Sequence, residues 1–339
     1  FLMGAVNIAA GLFLYEKKGL AYRAQWASVL LTIAVVFSGL IDRIDDWTRR
    51  MQWEGLEVVA TADSGYGNIA MTKMGEEYSL YESGLLSYTT RDDLTNEESV
   101  HFPLLEHPHP GQVLLIGKGV GGSLQEILKH PGTKVDYVEL DPKIIEVSRK
   151  YLPSEHLEPL QSDRVHVIYT DGRGLVKRTV QRYDVVIVNL SDPYTALINR
   201  YYTLEFFKEV NRVLNPGGIL ALSVSSSENY LNEETRDFLR SVNTTLKKVF
   251  TDVRSIPGDT NIFLACTQKN ILTQDPQLLI QRLNERRLET KYVREYYLPY
   301  KLSPDRIFYI EEVLKEDGDI NTDMHPIAYL YDIILWSTH

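Results

Sequence analysis

Four glycines and one glutamate carry the first chemistry in this chain. Val113–Asp141 reads VLLIGKGVGGSLQEILKHPGTKVDYVELD. That is an apolar strand, a turn holding Gly117, Gly119, Gly121 and Gly122, a helix, a second strand and a carboxylate at its end. The glycines let the backbone turn sharply and approach a ligand closely. Glu139 lies 22 residues after Gly117, near the spacing at which a carboxylate holds ribose hydroxyls. Alone, this pattern also fits a tight turn with no ligand. Asp171-Gly172 follows a third apolar strand, and Asn189-Leu190-Ser191-Asp192-Pro193 follows a fourth. Singly these are turn or helix-start signals. In order at the carboxyl ends of successive strands, where open α/β sheets bind ligands, they point to a nucleoside site. There Glu139 takes the ribose, and Asp171 accepts from the adenine amino group.

The elements that must position these residues alternate regularly. Strands are expected at Val113–Ile116, Val135–Leu140, Val165–Tyr169, Val185–Val188 and Ile219–Val224, with helices at 121–130, 142–151, 173–181 and 203–214 between them. Apolar strands alternating with helices make a parallel sheet covered on both faces. A helix at 232–248 and a hairpin of strands at 249–255 and 261–267 bring the sheet to seven strands with an antiparallel last strand. This is the plan of class I AdoMet-dependent transferases, a Rossmann-like α/β fold. Before it, 56–95 forms a small β segment with strands at Glu57–Thr61, Asn68–Thr72 and Tyr78–Tyr81. Domain limits are expected at 1–41, 42–55 (a charged connector), 56–95, 96–268 and 269–339, the last a helical extension. Its apolar end, Pro326–Trp336, suits packing on the core, lying on a membrane, or leading into a further span.

The N-terminus reads as membrane-associated. Residues 1–15 are nearly all apolar, and Ala24–Ile41 is an uncharged run of eighteen residues, just long enough to cross a bilayer. Trp26 and Trp47 stand near its ends, as interfacial aromatics do. The expectation is a multi-pass membrane protein with its α/β domain in the cytoplasm; a buried core hairpin is the rival. Lys and Arg flank both sides of the span, so charge does not orient it. A signal peptide fits poorly, for want of a basic leading region.

Composition narrows the partners. The net charge is −10 over 339 residues, which argues against nucleic acid. One cysteine, Cys266, excludes an internal disulfide framework and reads as a small core residue. The eight histidines lack ligand spacing, so no metal site is expected. Walker and Ser-His-Asp signatures are absent.

The chain resembles the spermidine synthase (polyamine aminopropyltransferase) family over about 57–267. The resemblance rests on Tyr66 and Asn68, His107-Pro108-x-Pro110, the VLLIG turn, Val138-Glu139-Leu140-Asp141 and Tyr151-Leu152-Pro153. It continues through Asp163-Arg164-Val165, Asp171-Gly172, Tyr183-Asp184-Val185, Ser191-Asp192-Pro193 and Leu214-x-Pro216-Gly217-Gly218. The apolar N-terminus and the NTDMHPIAYLYDIILW ending look like the membrane-fused branch of that family. The resemblance implies that an amine attacks the methylene beside the sulfonium of decarboxylated AdoMet, takes the aminopropyl group and leaves methylthioadenosine. A small-molecule amine is then the acceptor, and a homodimer is an allowed assembly. It places donor binding at Gly117, Gly119, Gly121, Glu139, Asp171 and Gly172. Tyr66, Asp192, Arg200 and Tyr201 fall on the acceptor side, with Asn189 and Asp192 at the reacting centre.

Two positions depart from the family. Val120 stands where it carries an aspartate that pairs with the aminopropyl ammonium. Asn189 stands where it carries one that orients and deprotonates the amine. Gly67 also replaces a usual glutamine. Asn189 cannot act as a base, leaving Asp192 as the carboxylate beside the centre. Val120 with Arg200 suggests intact AdoMet as donor, or an anionic acceptor. Rival functions are an AdoMet-dependent methyltransferase, a non-catalytic nucleoside- or polyamine-sensing domain and, ranked below them, a dinucleotide dehydrogenase.

Overall fold

The computed structural model describes residues 55–228 and 230–337, together with Trp26, Ala34, Ser38, Arg43, Thr48 and Trp53. Contacts divide the chain into units at 1–58 and 59–339, and the functional residues all lie in the second. The spans expected within 1–41 fall outside the described residues.

A four-stranded sheet comes first, in the order β1 (Glu57–Asp63), β2 (Asn68–Met74), β3 (Glu77–Glu82), β4 (Leu85–Thr89). Sequence alternation placed three of these strands. The fourth is made by a two-residue hairpin at Ser83-Gly84, both with positive φ, 50° and 85°. Such turns match the twist of paired strands.

Helix α1 (Asp93–Glu106) leads into the main sheet. The strands are β5 (Gln112–Ile116), β6 (Lys134–Glu139), β7 (Val165–Tyr169), β8 (Tyr183–Val188), β9 (Leu214–Ser225), β10 (Asp252–Ile256) and β11 (Thr260–Cys266). Their spatial order is β10-β11-β9-β8-β5-β6-β7. β9, β8, β5, β6 and β7 run parallel, and β11 is antiparallel to both neighbours. The expected seven-stranded sheet is therefore present. Strand order reverses between β5 and β8, which makes their carboxyl ends the switch-point crevice of a doubly wound sheet. Alternate residues feed opposite faces: Leu114 and Ile116 join one core with Phe206 and Phe238, while Val113 and Leu115 join another with Leu104 and Ile144.

The crossover helices are α2 (Leu124–Leu128), α3 (Pro142–Tyr151), α4 (Ser154–Leu157), α5 (Gly172–Arg178), α6 (Ala196–Asn199), α7 (Leu204–Val213) and α8 (Glu233–Lys247). Several start where short polar side chains cap free amide groups. Asp141 accepts from Lys143 N at 2.9 Å, and Asp171 from Gly174 N at 2.5 Å.

The C-terminal extension holds α9 (Pro276–Glu285), α10 (Tyr297–Lys301), α11 (Pro304–Val313) and α12 (Ile327–Ser337). Leu279, Leu283, Leu298 and Ile307 bury against Ile262 and Leu264 of β11. Buried Asn321 donates to Asn199 Oδ1 at 3.1 Å and to the Tyr202 carbonyl at 2.9 Å. At the start of Pro326–Trp336, Ala328 is buried in the core with Phe206 and Phe238, whereas Leu330 and Ile333 are exposed.

The expected membrane localisation requires correction. Among the described residues no helix is long and apolar enough to cross a membrane. The apolar helix α12 has 11 residues and reaches about 16 Å, against the ~30 Å of a bilayer core.

Candidate functional site

A cavity of about 230 Å3 opens over the carboxyl ends of β5, β6 and β8 and beneath the β2–β4 hairpins. Its floor is Ile116, Gly117 and Lys118 from β5 and its turn, Val138–Asp141 from β6, and Thr170 and Gly172 after β7. Leu190, Ser191, Thr195, Leu197, Ile198 and Tyr201 form one wall. Tyr66, Gly67, Asn68, Glu82, Ser83 and Tyr88 form the other.

Glu139 is the fixed point. It is 6% exposed and accepts from Tyr137 Oη at 2.6 Å and from Asp141 N at 3.2 Å. Burial pushes its carboxyl up to about 7. The glycine turn fits closely round this arrangement. A β-carbon at Gly119 would stand 2.6 Å from the Tyr137 ring, and one at Gly121 would stand 2.7 Å from Tyr88. Gly117 has a φ of 82° and lies against Asn189 and Leu190. These glycines thus serve packing and turn geometry; of the three, only Gly117 lines the cavity.

Other expected residues divide between cavity and frame. Tyr66, Gly172 and Tyr201 line the cavity. Asp171 lies just behind it, one carboxylate oxygen on Gly174 N and the other accepting from Arg200 Nη2. Arg200 is thus directed to Asp171, with its guanidinium 5.3 Å from the Tyr201 ring centre. Asn189 is buried and donates to Ser123 Oγ at 2.8 Å. Asp192 is 7% exposed, accepts from Ser225 N at 3.0 Å and is not in the cavity lining. Burial raises its carboxyl pKa, against its bonds to Ser225 and the nearby Lys118 charge. Val120 is buried and lines the cavity.

Tyr137, Glu82 and Lys118 line the cavity too, and none of them stands out in the sequence. Tyr137, in mid-strand, resembles any core aromatic. Glu82 ends a surface strand. Lys118 adopts a left-handed conformation with φ 48°, which turns it toward the cavity. Among the described residues no group of three acidic, histidine or cysteine side chains is arranged to hold a metal.

Residues 93–276 match the model of the spermine/spermidine synthase domain, more than half of the chain. The chain belongs to the spermine/spermidine synthase family. It is 32% identical over 263 residues to a polyamine aminopropyltransferase of Korarchaeum cryptofilum, covering 75% of this chain and 79% of that protein. It is 30% identical over 234 residues to one of Mycobacterium tuberculosis, covering 66% of this chain but only 45% of that protein. Among solved structures, a spermidine synthase in complex with the transition-state analogue AdoDATO superposes with a TM-score of 0.64 at 21% identity, over 76% of this chain and 88% of that one. The spermidine synthase of Thermotoga maritima gives 0.61 at 20%, over the same shares. These two likenesses establish the shared fold.

Proposed function

We propose that this chain is a transferase that binds an adenosyl sulfonium, decarboxylated AdoMet or AdoMet, and passes its aminopropyl-type chain to a small amine. The observation that carries this reading is the buried Glu139, pinned by Tyr137 and Asp141 N at the floor of a cavity lined with apolar strand ends. A carboxylate held by two donors keeps lone pairs for the two ribose hydroxyls. Ile116, Val138 and Leu190 offer flat apolar walls for an adenine, and the Thr170–Gly172 segment borders it. Asp171 can accept from the adenine amino group while it keeps Arg200, because a carboxylate has about four acceptor sites.

The donor's sulfonium already activates the carbon to be attacked, so the protein has mainly to align amine, carbon and sulfur. The acceptor enters past the exposed edge formed by Tyr66, Ser83 and Glu82. Asn189 has no basic group, and Asp192 does not line the cavity. The amine therefore arrives in its neutral form. Its lone pair forms the new N–C bond, the C–S bond breaks, its pair stays on sulfur, and methylthioadenosine remains.

The test is product analysis by mass spectrometry with each donor and a set of diamines and polyamines. Methylthioadenosine with an acceptor heavier by the donor's chain is the expected result. S-adenosylhomocysteine with a methylated acceptor overturns it.

A further inference from the structure

The charged groups of the cavity are unevenly committed. Glu139 is bonded twice, Asp141 caps α3, and Asp171, just behind, holds Arg200 and Gly174 N. Lys118 and Glu82 also line the cavity, and no side-chain hydrogen bond or ion pair of either is found among the described residues. They feel each other's charge without meeting in an ion pair. The other acids near Lys118 are turned elsewhere: Asp192 to Ser225 N, and Asp92 to Thr95 N at the start of α1. One cation and one anion thus face a common space with a gap between them.

We infer that Lys118 and Glu82 receive a zwitterionic α-amino acid group, Lys118 its carboxylate and Glu82 its ammonium, so that the donor is intact AdoMet and the group transferred is 3-amino-3-carboxypropyl. The inference rests on the proposed nucleoside site, because only a donor seated on Glu139 brings its chain into this space. Glu82 by itself would suit the amine of either donor. Lys118 discriminates: beside a purely cationic chain it is a like charge in a partly desolvated space, which is unfavourable, whereas beside a carboxylate it forms a charge-assisted bond. Lys118 also occupies a left-handed position that glycine fills without strain, so the lysine side chain is held there at a cost to the backbone. For an amine acceptor the step balances. The amine nitrogen bonds to the methylene next to sulfur, the C–S bond breaks with its electrons to sulfur, and the acceptor's extra proton passes to water.

Calorimetric titration of the wild type, Lys118→Gly and Lys118→Gln with AdoMet, decarboxylated AdoMet and methylthioadenosine tests this. Glycine relaxes the backbone at this position, so loss of folding is not expected. The wild type should prefer AdoMet over its decarboxylated form by roughly tenfold or more, the scale of one charge-assisted bond. Both variants should lose or invert that preference and bind methylthioadenosine, which lacks the chain, as the wild type does. Equal or tighter binding of decarboxylated AdoMet by the wild type overturns the inference and leaves the proposed function standing. No binding of methylthioadenosine overturns both. A second arm titrates the methylthioadenosine-filled protein with 4-aminobutyrate and 1,4-diaminobutane. Preference for the amino acid without any donor preference would move the carboxylate to the acceptor and overturn the donor assignment.

Discussion

Arg173 and Asp323, 150 residues apart in the chain, are joined by two parallel hydrogen bonds of 2.6 and 2.7 Å. Arg173 is 5% exposed; it also donates twice to Glu209 and once to the Arg200 carbonyl. Asp323 further accepts from Thr203 Oγ1 at 2.8 Å. The C-terminal extension thereby holds in place the segment whose Thr195, Leu197, Ile198 and Tyr201 wall the cavity.

Asp323→Ala should loosen that wall. Arg173 keeps Glu209, and the Asp323 side chain is 37% exposed, so water screens part of the pair. The stability cost is about 1–2 kcal/mol. Affinity for methylthioadenosine should fall as well, because the wall must be reordered on binding. Thermal unfolding and calorimetry read the two effects; a stability loss with unchanged affinity would confine the pair to the frame.

Gly119→Ala should act on the proposed ribose site through a neighbour. The new methyl would crowd the Tyr137 ring at 2.6 Å, and Tyr137 Oη holds Glu139. Overpacking costs about 1–3 kcal/mol. A roughly tenfold loss of methylthioadenosine affinity, about 1.4 kcal/mol, is expected beside that loss of stability. Unchanged affinity would separate the turn from the ribose site.

The sheet was legible because its signal is local. Apolar runs of strand length, turn glycines and capping residues each say the same thing as the fold does, and both β10 and β11 fall where alternation put them. The cavity was legible only as far as backbone position determines it. Glu139 ends a strand and must sit at the switch point, whereas Asp192, equally well placed in sequence, turns away because Ser225 N offers its oxygen a partner. Lys118 stayed hidden inside the glycine motif because only its positive φ directs the side chain inward. The Arg173–Asp323 link was invisible for a different reason: it depends on how the extension returns across the sheet.

Glu139→Gln should separate binding from stability. Burial raises Glu139 from 4.5 to about 7 in the folded chain. Its favourable contribution is therefore complete below pH 4.5 and is lost as pH rises through 7, to a limit of about 3 kcal/mol. The variant has no charge to bury. Its stability relative to wild type should climb between pH 4.5 and 8 by up to that amount, while its affinity for methylthioadenosine falls. A flat difference across that range would mean that Glu139 ionises in the fold as freely as in the unfolded chain.

A buried relay makes the opposite prediction for acid. Arg286 Nη1 donates to His130 Nδ1 at 3.3 Å, His130 Nε2 to His101 Nδ1 at 2.9 Å, and His101 Nε2 to Glu126 at 2.9 Å, with tautomers assigned from these partners. His130 is 1% exposed, and burial, with the nearby Arg286 charge, holds its pKa well below 6.5. The stability it supplies is present above 6.5 and is lost as pH falls. Between pH 7 and 5 the wild type should lose more stability than His130→Gln, which can accept from Arg286 and donate to His101 without titrating. Urea unfolding at the two pH values checks this; an equal loss in both proteins would show that His130 does not set the acid limit.

On the proposed function, neither Asn189 nor Asp192 takes the amine's proton, and this has its own kinetic signature. Asn189 donates its amide to Ser123, and Asp192 accepts from Ser225 N outside the cavity lining. Aliphatic amines have pKa values near 10, so only about a thousandth of an acceptor is neutral at pH 7. With neither residue taking the proton, kcat/KM for the acceptor should rise close to tenfold per pH unit from 7 to 9, at saturating donor. An enzyme base would level that profile at its own pKa. Asp192→Asn separates the cases: the slope should persist in the variant, whereas a plateau in the wild type that the variant abolishes would return Asp192 to the role of base.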